Sequence, residues 1–215
     1  MQRPITNYKG ILIHARDGKN GGKIADIFTD AIGRIRVYVS KNVMSRCGVG
    51  GMIPFTLLQF SVSVSDEGFV MAQYEGSNLL DMMKFSYDEM RCWYYVIEII
   101  EEFFPYEQKN QSSYMLIGRA LESAGNKNRT VAAMILAVQL LAEAGFSPEY
   151  RDGNTGIRIS ENARQLLTEF LQYDWMGSFE GRIKVSAFRE LARYIDSFIK
   201  DYCDVQLKTA GIFLQ

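Results

Sequence analysis

The sequence predicts an α+β protein in which a five-stranded β-barrel is followed by an all-helical bundle. Five short segments with the composition of β-strands lie within residues 8–75. From residue 77 onward the hydrophobic residues recur with the period of an α-helix. The net charge also changes sign between these two parts. We therefore expect a barrel domain over residues 1–77 and a helical domain over residues 78–215.

The composition is that of a globular protein, with 47% hydrophobic and 23% charged residues in a chain of 215. This length accommodates one large or two small domains. The opening residues lack the apolar segment of a signal peptide, and the longest apolar stretch, residues 131–138, is shorter than the roughly 20 residues that span a bilayer. Three distant cysteines indicate no disulfide framework and suit a reducing compartment. We expect a cytoplasmic protein with no membrane partner.

The predicted strands are rich in Val, Ile, Phe and Tyr and are separated by turns that contain Gly, Asp or Asn. They cover residues 8–15, 23–29, 33–40, 56–65 and 68–75. Successive residues of a strand face opposite sides, so the third strand has two distinct faces. Its apolar face consists of Ile35, Val37 and Val39. Its polar face consists of Arg34, Arg36 and Tyr38. Five short strands predict an OB-fold, a small barrel whose closure removes exposed strand edges.

The helical part begins with a capping box formed by Ser86 and Glu89, and Pro105 ends the first helix. Further helices are predicted over residues 112–123, 130–144, 160–172 and 186–202. The helix over 130–144 is apolar on nearly all sides, which predicts that it lies at the centre of the bundle. The acidic residues of the first helix are expected on a solvated face. They are Asp88, Glu89, Glu98, Glu101 and Glu102.

The charge distribution favours a polyanion partner for the barrel. Residues 1–60 contain nine basic and three acidic residues, a net charge of +6, whereas residues 61–215 have a net charge of −7. Such asymmetry is typical of chains that bind nucleic acid at one end. A chance imbalance on solvated strands is the alternative.

The residue types needed for catalysis are scattered. His14 is the one histidine of the chain, and it lies within the first strand without a nucleophile nearby in sequence. The segment from Cys47 to Gly51 lacks the Lys-Ser/Thr of a phosphate-binding loop, so a flexible loop between strands is expected there. We therefore expect no catalytic residue, no metal site, no cofactor and no small-molecule substrate.

The polar face of the third strand is the candidate nucleic-acid site. OB-fold strands offer a groove for a phosphate backbone, and aromatic side chains stack on bases. The basic residues continue beyond the strand to Lys41 and Arg46, which are expected in the following loop. From these residues alone an alternative is equally well supported, in which Tyr38 packs on a neighbouring strand and the arginines only increase solubility.

Several short segments, in their order along the chain, resemble the bacterial RecO family of recombination mediators. The first four are YKGILIHA at 8–15, IFTDAIG at 27–33, VSKNVMSR at 39–46 and PFTLL at 54–58. AEAGFSP at 142–148 resembles the helix end that precedes the family's zinc module, and LKTAGIFL at 207–214 resembles the family's closing helix. Each segment is short, so their order carries the resemblance.

The resemblance implies an N-terminal OB-fold, a helical domain and a role in recombinational repair. RecO-like proteins bind single- and double-stranded DNA, anneal complementary strands, and work with RecR to load RecA onto strands coated by single-stranded-DNA-binding protein (SSB). No covalent reaction is catalysed, and a bacterial, nucleoid-associated location is implied. By position, the DNA-contacting stretch of the family falls on Lys41 and Arg46, with Arg34 and Arg36 on the adjoining strand.

Two further expectations follow from the resemblance. Many members carry a four-cysteine zinc module, whereas residues 149–156 contain no cysteine or histidine, so a short loop without zinc is expected here. The helical domain of the family also binds the acidic, phenylalanine-ended tail of SSB. The basic residues Arg119, Lys127 and Arg129 flank a junction of two predicted helices and are candidates for that contact; ordinary surface charges are the alternative.

Two other classes of function remain open from the sequence. An OB-fold adaptor could bind protein partners through its helical domain without significant nucleic-acid binding. A hydrolase or transferase would require a metal site or a reactive nucleophile.

Overall fold

A computed structural model describes residues 4–66, 68–148, 158–177, 179 and 183–214. It confirms the predicted α+β layout, with a closed five-stranded barrel followed by helices. The chain divides into two compact units. The barrel unit comprises Met1–Lys84 and Phe104–Glu122, and the helical unit comprises Phe85–Phe103 and Ser123–Gln215.

The barrel has the strand order β1-β2-β3-β5-β4 and is closed by pairing between β1 and β4. Its strands are β1 (Ile5–Asp17), β2 (Lys23–Thr29), β3 (Gly33–Val39), β4 (Thr56–Ser65) and β5 (Gly68–Asn78). All neighbouring strands are antiparallel except β3 and β5, which pair in parallel at Val37 and Tyr38. This small closed barrel matches the predicted OB-fold.

The barrel core follows the predicted alternation, since Ile35, Val37 and Val39 are fully buried. The segment after β3 differs from the prediction, because Lys41–Cys47 forms a helix, α1, rather than a loop. The Ser40 hydroxyl caps this helix by accepting from the Val43 amide, at 3.3 Å. Burial of Val43 and Met44 in the barrel core explains why so short a helix is stable here.

A segment from outside the strands completes the barrel beside β3. Residues 104–110, hereafter the strap, run along the first half of β3, where β5 does not pair. The Glu107 amide donates to the Arg34 carbonyl at 2.8 Å. Gly33 has a φ of 77°, and a Cβ atom there would lie 1.8 Å from the Gln108 carbonyl oxygen. The backbone conformation and the close approach of the strap therefore both require glycine at this position. Helix α3 (Gln111–Ala124) follows the strap.

The helical unit contains α2 (Tyr87–Phe103), α4 (Arg129–Glu143), α5 (Glu161–Gln172) and α6 (Val185–Ser197). Helix α4 is buried from Ala132 to Leu141 and contacts α2 and α5, which confirms its predicted central place. The predicted capping box is present, because the Ser86 amide donates to the Glu89 carboxylate and the Glu89 amide donates to Ser86 Oγ. In the described part of the chain, no helix is long and apolar enough to cross a bilayer.

The end of the chain differs from the prediction. Residues 207–214 form turns and a 3-10 turn, Ile212–Leu214, rather than a closing helix. Glu98, which was expected to be solvated, accepts from the amides of Lys208 and Thr209 at 2.7 and 3.0 Å. Because these two amides donate to a side-chain carboxylate, they do not need the backbone carbonyl partners that a helix would supply. The backbone therefore follows a non-helical path.

The spacing of apolar residues predicts Tyr94 and Tyr202 on the apolar stripes of their helices, but both are exposed. Tyr94 is 41% exposed, and its neighbour Tyr95 is buried in its place. Tyr202 is 58% exposed because α6 continues into a π-helical turn, Phe198–Tyr202, that changes the helical period.

Candidate nucleic-acid interface

Two of the five predicted DNA-binding residues, Tyr38 and Lys41, lie beside the loop between β1 and β2. Arg36 and Tyr38 share one face of β3, and the Tyr38 hydroxyl donates to the Lys19 carbonyl at 3.1 Å. Lys41, the first residue of α1, approaches the same loop, since a Cβ atom on Gly21 would lie 3.6 Å from Lys41 Cδ. We call Lys19, Arg36, Tyr38 and Lys41 the Tyr38 surface.

The loop between β1 and β2 positions Tyr38. Its ring is half-buried against Gly22, where a Cβ atom would lie 2.7 Å from the Tyr38 hydroxyl oxygen. Tyr38 therefore packs on this loop and also contributes to a basic, partly exposed surface. Tyr38 thus packs on a loop rather than on the neighbouring strand that the alternative named, and its role in nucleic-acid binding stays a prediction.

Arg36 is bound within the protein but still reaches solvent. Its Nε lies 3.0 Å from the buried Asp26 carboxylate, and its side chain is 48% exposed. Arg36 also donates to the Tyr106 hydroxyl, which itself donates to Asp26 at 3.0 Å. The hydrogen bond that Arg36 donates to the Asp26 carboxylate raises the pKa of Arg36 above its usual value, so the guanidinium keeps its charge.

Arg34 is separated from the Tyr38 surface by the strap. It is 5% exposed, and its guanidinium carbon lies 4.1 Å from the centroid of the Tyr106 ring. Tyr106 thus contacts both arginines, with Arg36 at 4.7 Å from the same centroid. Burial, followed by the nearby Asp26 charge, raises the pKa of Tyr106. Tyr106 therefore stays a neutral hydrogen-bond donor, and Arg34 is covered by the strap on the outer face of β3 rather than part of an accessible surface.

Arg46 lies in a different place, at the rim of a groove over β1, β4 and β5. The groove has a volume of about 1150 Å³. Arg46 donates to the Ala72 carbonyl at 3.0 Å. Ala72 is the extra residue of a β-bulge, since Ser61 pairs with Gln73 and Val62 pairs with Met71. The bulge thereby gives Arg46 a fixed anchor beside the groove.

Polar side chains cross the groove in two rows, one residue from each strand. Asn7, Ser61 and Gln73 form one row, and Lys9, Gln59 and Glu75 form the next. The Ser61 hydroxyl donates to Asn7 Oδ1 at 2.8 Å and accepts from Gln73 Nε2 at 3.3 Å. Sequence reasoning missed this groove. The alternation within each strand indicates outward polar residues, but the register that brings the strands together is invisible in one sequence.

The three residues proposed for a protein partner do not share one unit. Arg119 is exposed on α3 in the barrel unit, whereas Lys127 and Arg129 lie in the helical unit. Arg129 is 3.3 Å from the Glu89 carboxylate. Lys127 donates to the Tyr173 hydroxyl at 2.5 Å and to the Gly177 carbonyl. Beside Lys127 lies a pocket of about 670 Å³.

The segment predicted to replace a zinc module, residues 149–156, falls outside the described residues. The expectation that it holds no metal therefore stays a prediction. Across the ranges that the structure describes, no group of three or more His, Cys, Asp or Glu side chains is placed to hold a metal ion.

Comparison with known proteins adds a family relationship to this geometry. No family model matches the chain. Two curated relatives are both named DNA repair protein RecO: one from Pelotomaculum thermopropionicum is 26% identical over 141 residues, and one from Levilactobacillus brevis is 24% identical over 156. The alignments cover 64% and 69% of this chain but 54% and 58% of the relatives, so the chain spans little more than half their length. These similarities confirm the resemblance seen in the short segments, and the chain is related to the RecO family.

Proposed function

We propose that this protein is a RecO-like recombination mediator that binds DNA through its OB-fold barrel. The observation that carries the proposal is the Tyr38 surface, which joins a tyrosine to basic residues of β3, α1 and the loop between β1 and β2, on an OB-fold barrel in a chain similar to DNA repair proteins named RecO. OB-folds bind single strands with this combination of residues.

The Tyr38 surface suits contacts that do not depend on base sequence. Lys19, Arg36 and Lys41 supply positive charge for phosphates, and release of counterions from the DNA favours binding. Tyr38 supplies a ring on which a base stacks. Because Asp26 partly compensates Arg36, the two lysines contribute most of the attraction.

The proposed role includes annealing complementary single strands and, with RecR, helping to load RecA onto SSB-coated single-stranded DNA. A protein that neutralises phosphates lowers the repulsion between two strands, which promotes their pairing. Duplex DNA presents the same phosphates and is a second ligand in this proposal.

The test is fluorescence anisotropy of a labelled, mixed-sequence single strand over a series of salt concentrations. With about four to six phosphate contacts, log K falls against log salt with a slope of about −3 to −4. The double variant Lys41→Glu with Arg46→Glu is expected to weaken binding at least about tenfold. Arg189→Glu with Lys200→Glu makes the same charge change at exposed positions of the helical unit and is expected to bind like the wild type.

Two outcomes contradict different parts of the proposal. Unchanged affinity in a folded Lys41→Glu, Arg46→Glu protein removes these residues from the interface. Absence of binding by the wild type, even at low salt, contradicts the function and favours an adaptor that binds proteins.

The pocket beside Lys127 is the proposed site for the SSB tail. Its apolar lining includes Val131, Ile135, Phe179 and Ile183, which suits a terminal phenylalanine ring. Among the described residues, Lys127 donates to two neutral oxygen atoms and its Nζ lies 5.2 Å from the centroid of the Tyr173 ring, so its charge remains available to a carboxylate. Lys127→Glu is expected to weaken binding of a labelled tail peptide at least about tenfold while DNA affinity is retained. Equal peptide affinity in Lys127→Glu and in the control Lys200→Glu would exclude this site.

A further inference from the structure

The groove over β1, β4 and β5 is distinguished by its carboxamide side chains. Asn7, Gln59 and Gln73 are all exposed and come from three adjacent strands. We call this site the amide groove. Because Ser61 donates to Asn7 Oδ1 and accepts from Gln73 Nε2, Asn7 directs its NH₂ group and Gln73 its carbonyl oxygen toward other partners. The row therefore presents a donor on one side of Ser61 and an acceptor on the other.

The charges around the amide groove balance. Lys9 and Arg46 line it together with Asp30 and Glu75, so its formal net charge is zero. A track for a phosphate backbone requires an excess of positive charge. The amide groove therefore suits a neutral ligand that offers hydrogen-bond donors and acceptors.

Nucleobases have this chemistry. Each base carries a donor and an acceptor side by side on an edge, and a carboxamide supplies the complementary pair of groups. Carboxamides can consequently bond to any of the four bases, which is compatible with binding that ignores sequence. The groove volume of about 1150 Å³ exceeds that of a typical small-ligand site and leaves room for more than one base.

We propose that the amide groove binds the base edges of a single-stranded nucleic acid. This inference rests on the proposed DNA-binding function and divides the work between two surfaces. The Tyr38 surface holds phosphates and stacks a base on Tyr38, and the amide groove holds the hydrogen-bonding edges of bases. Hydrogen bonds from exposed amides to base edges are weak and exchangeable, so a complementary strand can replace them with Watson–Crick pairs.

The experiment compares a base-bearing single strand with an abasic strand of the same length and phosphate number. The wild type is expected to bind the base-bearing strand at least about tenfold more tightly. In Gln59→Ala with Gln73→Ala, this preference is expected to fall by about tenfold. Affinity for the abasic strand and the slope of log K against log salt stay unchanged, because no phosphate contact is lost. Gln111→Ala, at an exposed glutamine at the start of α3, is the matched control.

Each other outcome overturns the inference. If the double glutamine variant keeps the wild-type preference for the base-bearing strand, the bases do not use the amide groove. If it loses affinity equally for the base-bearing and the abasic strand, the substitutions affect the barrel in general. A strand carrying photoreactive thiothymidine provides a test in the wild type. Cross-links to peptides of β1, β4 or β5 support the inference, whereas cross-links confined to β2 and β3 contradict it. Failure of the wild type to bind either strand contradicts the proposed function itself and is thus distinguishable.

Discussion

Arg34 and Arg36 lie two residues apart on the same face of β3, yet their surroundings differ. Arg34 is covered by the strap and stacked on Tyr106, whereas Arg36 remains 48% exposed beside Tyr38. Both contact the Tyr106 ring, with guanidinium carbons 4.1 Å (Arg34) and 4.7 Å (Arg36) from the ring centroid. Tyr106 therefore marks the boundary between a covered end of β3 and an end that reaches solvent.

The comparison teaches that strand alternation decides only which side of a sheet a residue faces. Whether that side meets solvent depends on segments that are distant in sequence. Here the strap, whose Tyr106 lies 70 residues beyond Arg36, covers one of two arginines that share the outer face of β3. Three variants test this division between a covered and an exposed end of β3.

Gly33→Ala is expected to break the covered end. The added Cβ atom would lie 1.8 Å from the Gln108 carbonyl oxygen, and φ at this position is 77°. The strap must move, and we expect a loss of about 4 kcal/mol in the stability of the barrel unit. Both tryptophans, Trp93 and Trp175, lie in the helical unit, so amide hydrogen exchange of barrel peptides is the suitable measurement.

Gly48→Ala is the control for Gly33→Ala. Gly48 has a φ of 90°, but a Cβ atom there meets no neighbour within 4 Å. Its cost is limited to backbone strain of about 1 kcal/mol. If both variants lose the same stability, the contact with the strap is unimportant.

Tyr106→Ala is expected to expose Arg34 without a backbone clash. It removes a ring that contacts two guanidinium groups and a hydroxyl that donates to Asp26. We expect a loss of about 3 kcal/mol, measured by hydrogen exchange in β2 and β3. Exchange rates in residues 33–36 that match those of the wild type would show that the strap is held by other contacts.

Tyr106→Phe separates the contribution of the ring from that of the hydroxyl, because it keeps the ring and removes the hydroxyl. Asp26 retains its ion pair with Arg36, so we expect a loss of about 1 kcal/mol. Hydrogen exchange in β2 and β3 measures this loss as well. A loss as large as that of the alanine variant would assign the stability to the hydrogen bonds rather than to ring stacking.

The local features of the fold were predictable from the sequence. Alternating Ile35, Val37 and Val39 define the barrel core, and Ser86 with Glu89 marks the start of α2. These signals depend on residues close in the chain. Helix α1 was missed because seven residues carry too little periodicity, although Ser40 is a typical N-cap.

The candidate site was predictable only where its residues are close in the chain. Arg36 and Tyr38 share one face of β3 as predicted, and Lys41 follows closely in sequence, although it lies on a helix rather than in a loop. The cover over Arg34 and the rows of the amide groove depend on pairing between distant segments. Nothing in the spacing of Asn7, Gln59 and Gln73 indicates that strand register places them on adjacent strands.

The strap has a consequence for how the protein is made. The five strands are complete by Asn78, but the edge of β3 obtains its partner at Tyr106 and Glu107. During synthesis the growing chain carries all five strands while this edge is still uncovered. The barrel therefore reaches its final form only after the ribosome has added α2 and the strap and released them from its exit tunnel. A pause in translation before that point would prolong the lifetime of an exposed strand edge that can pair with other chains.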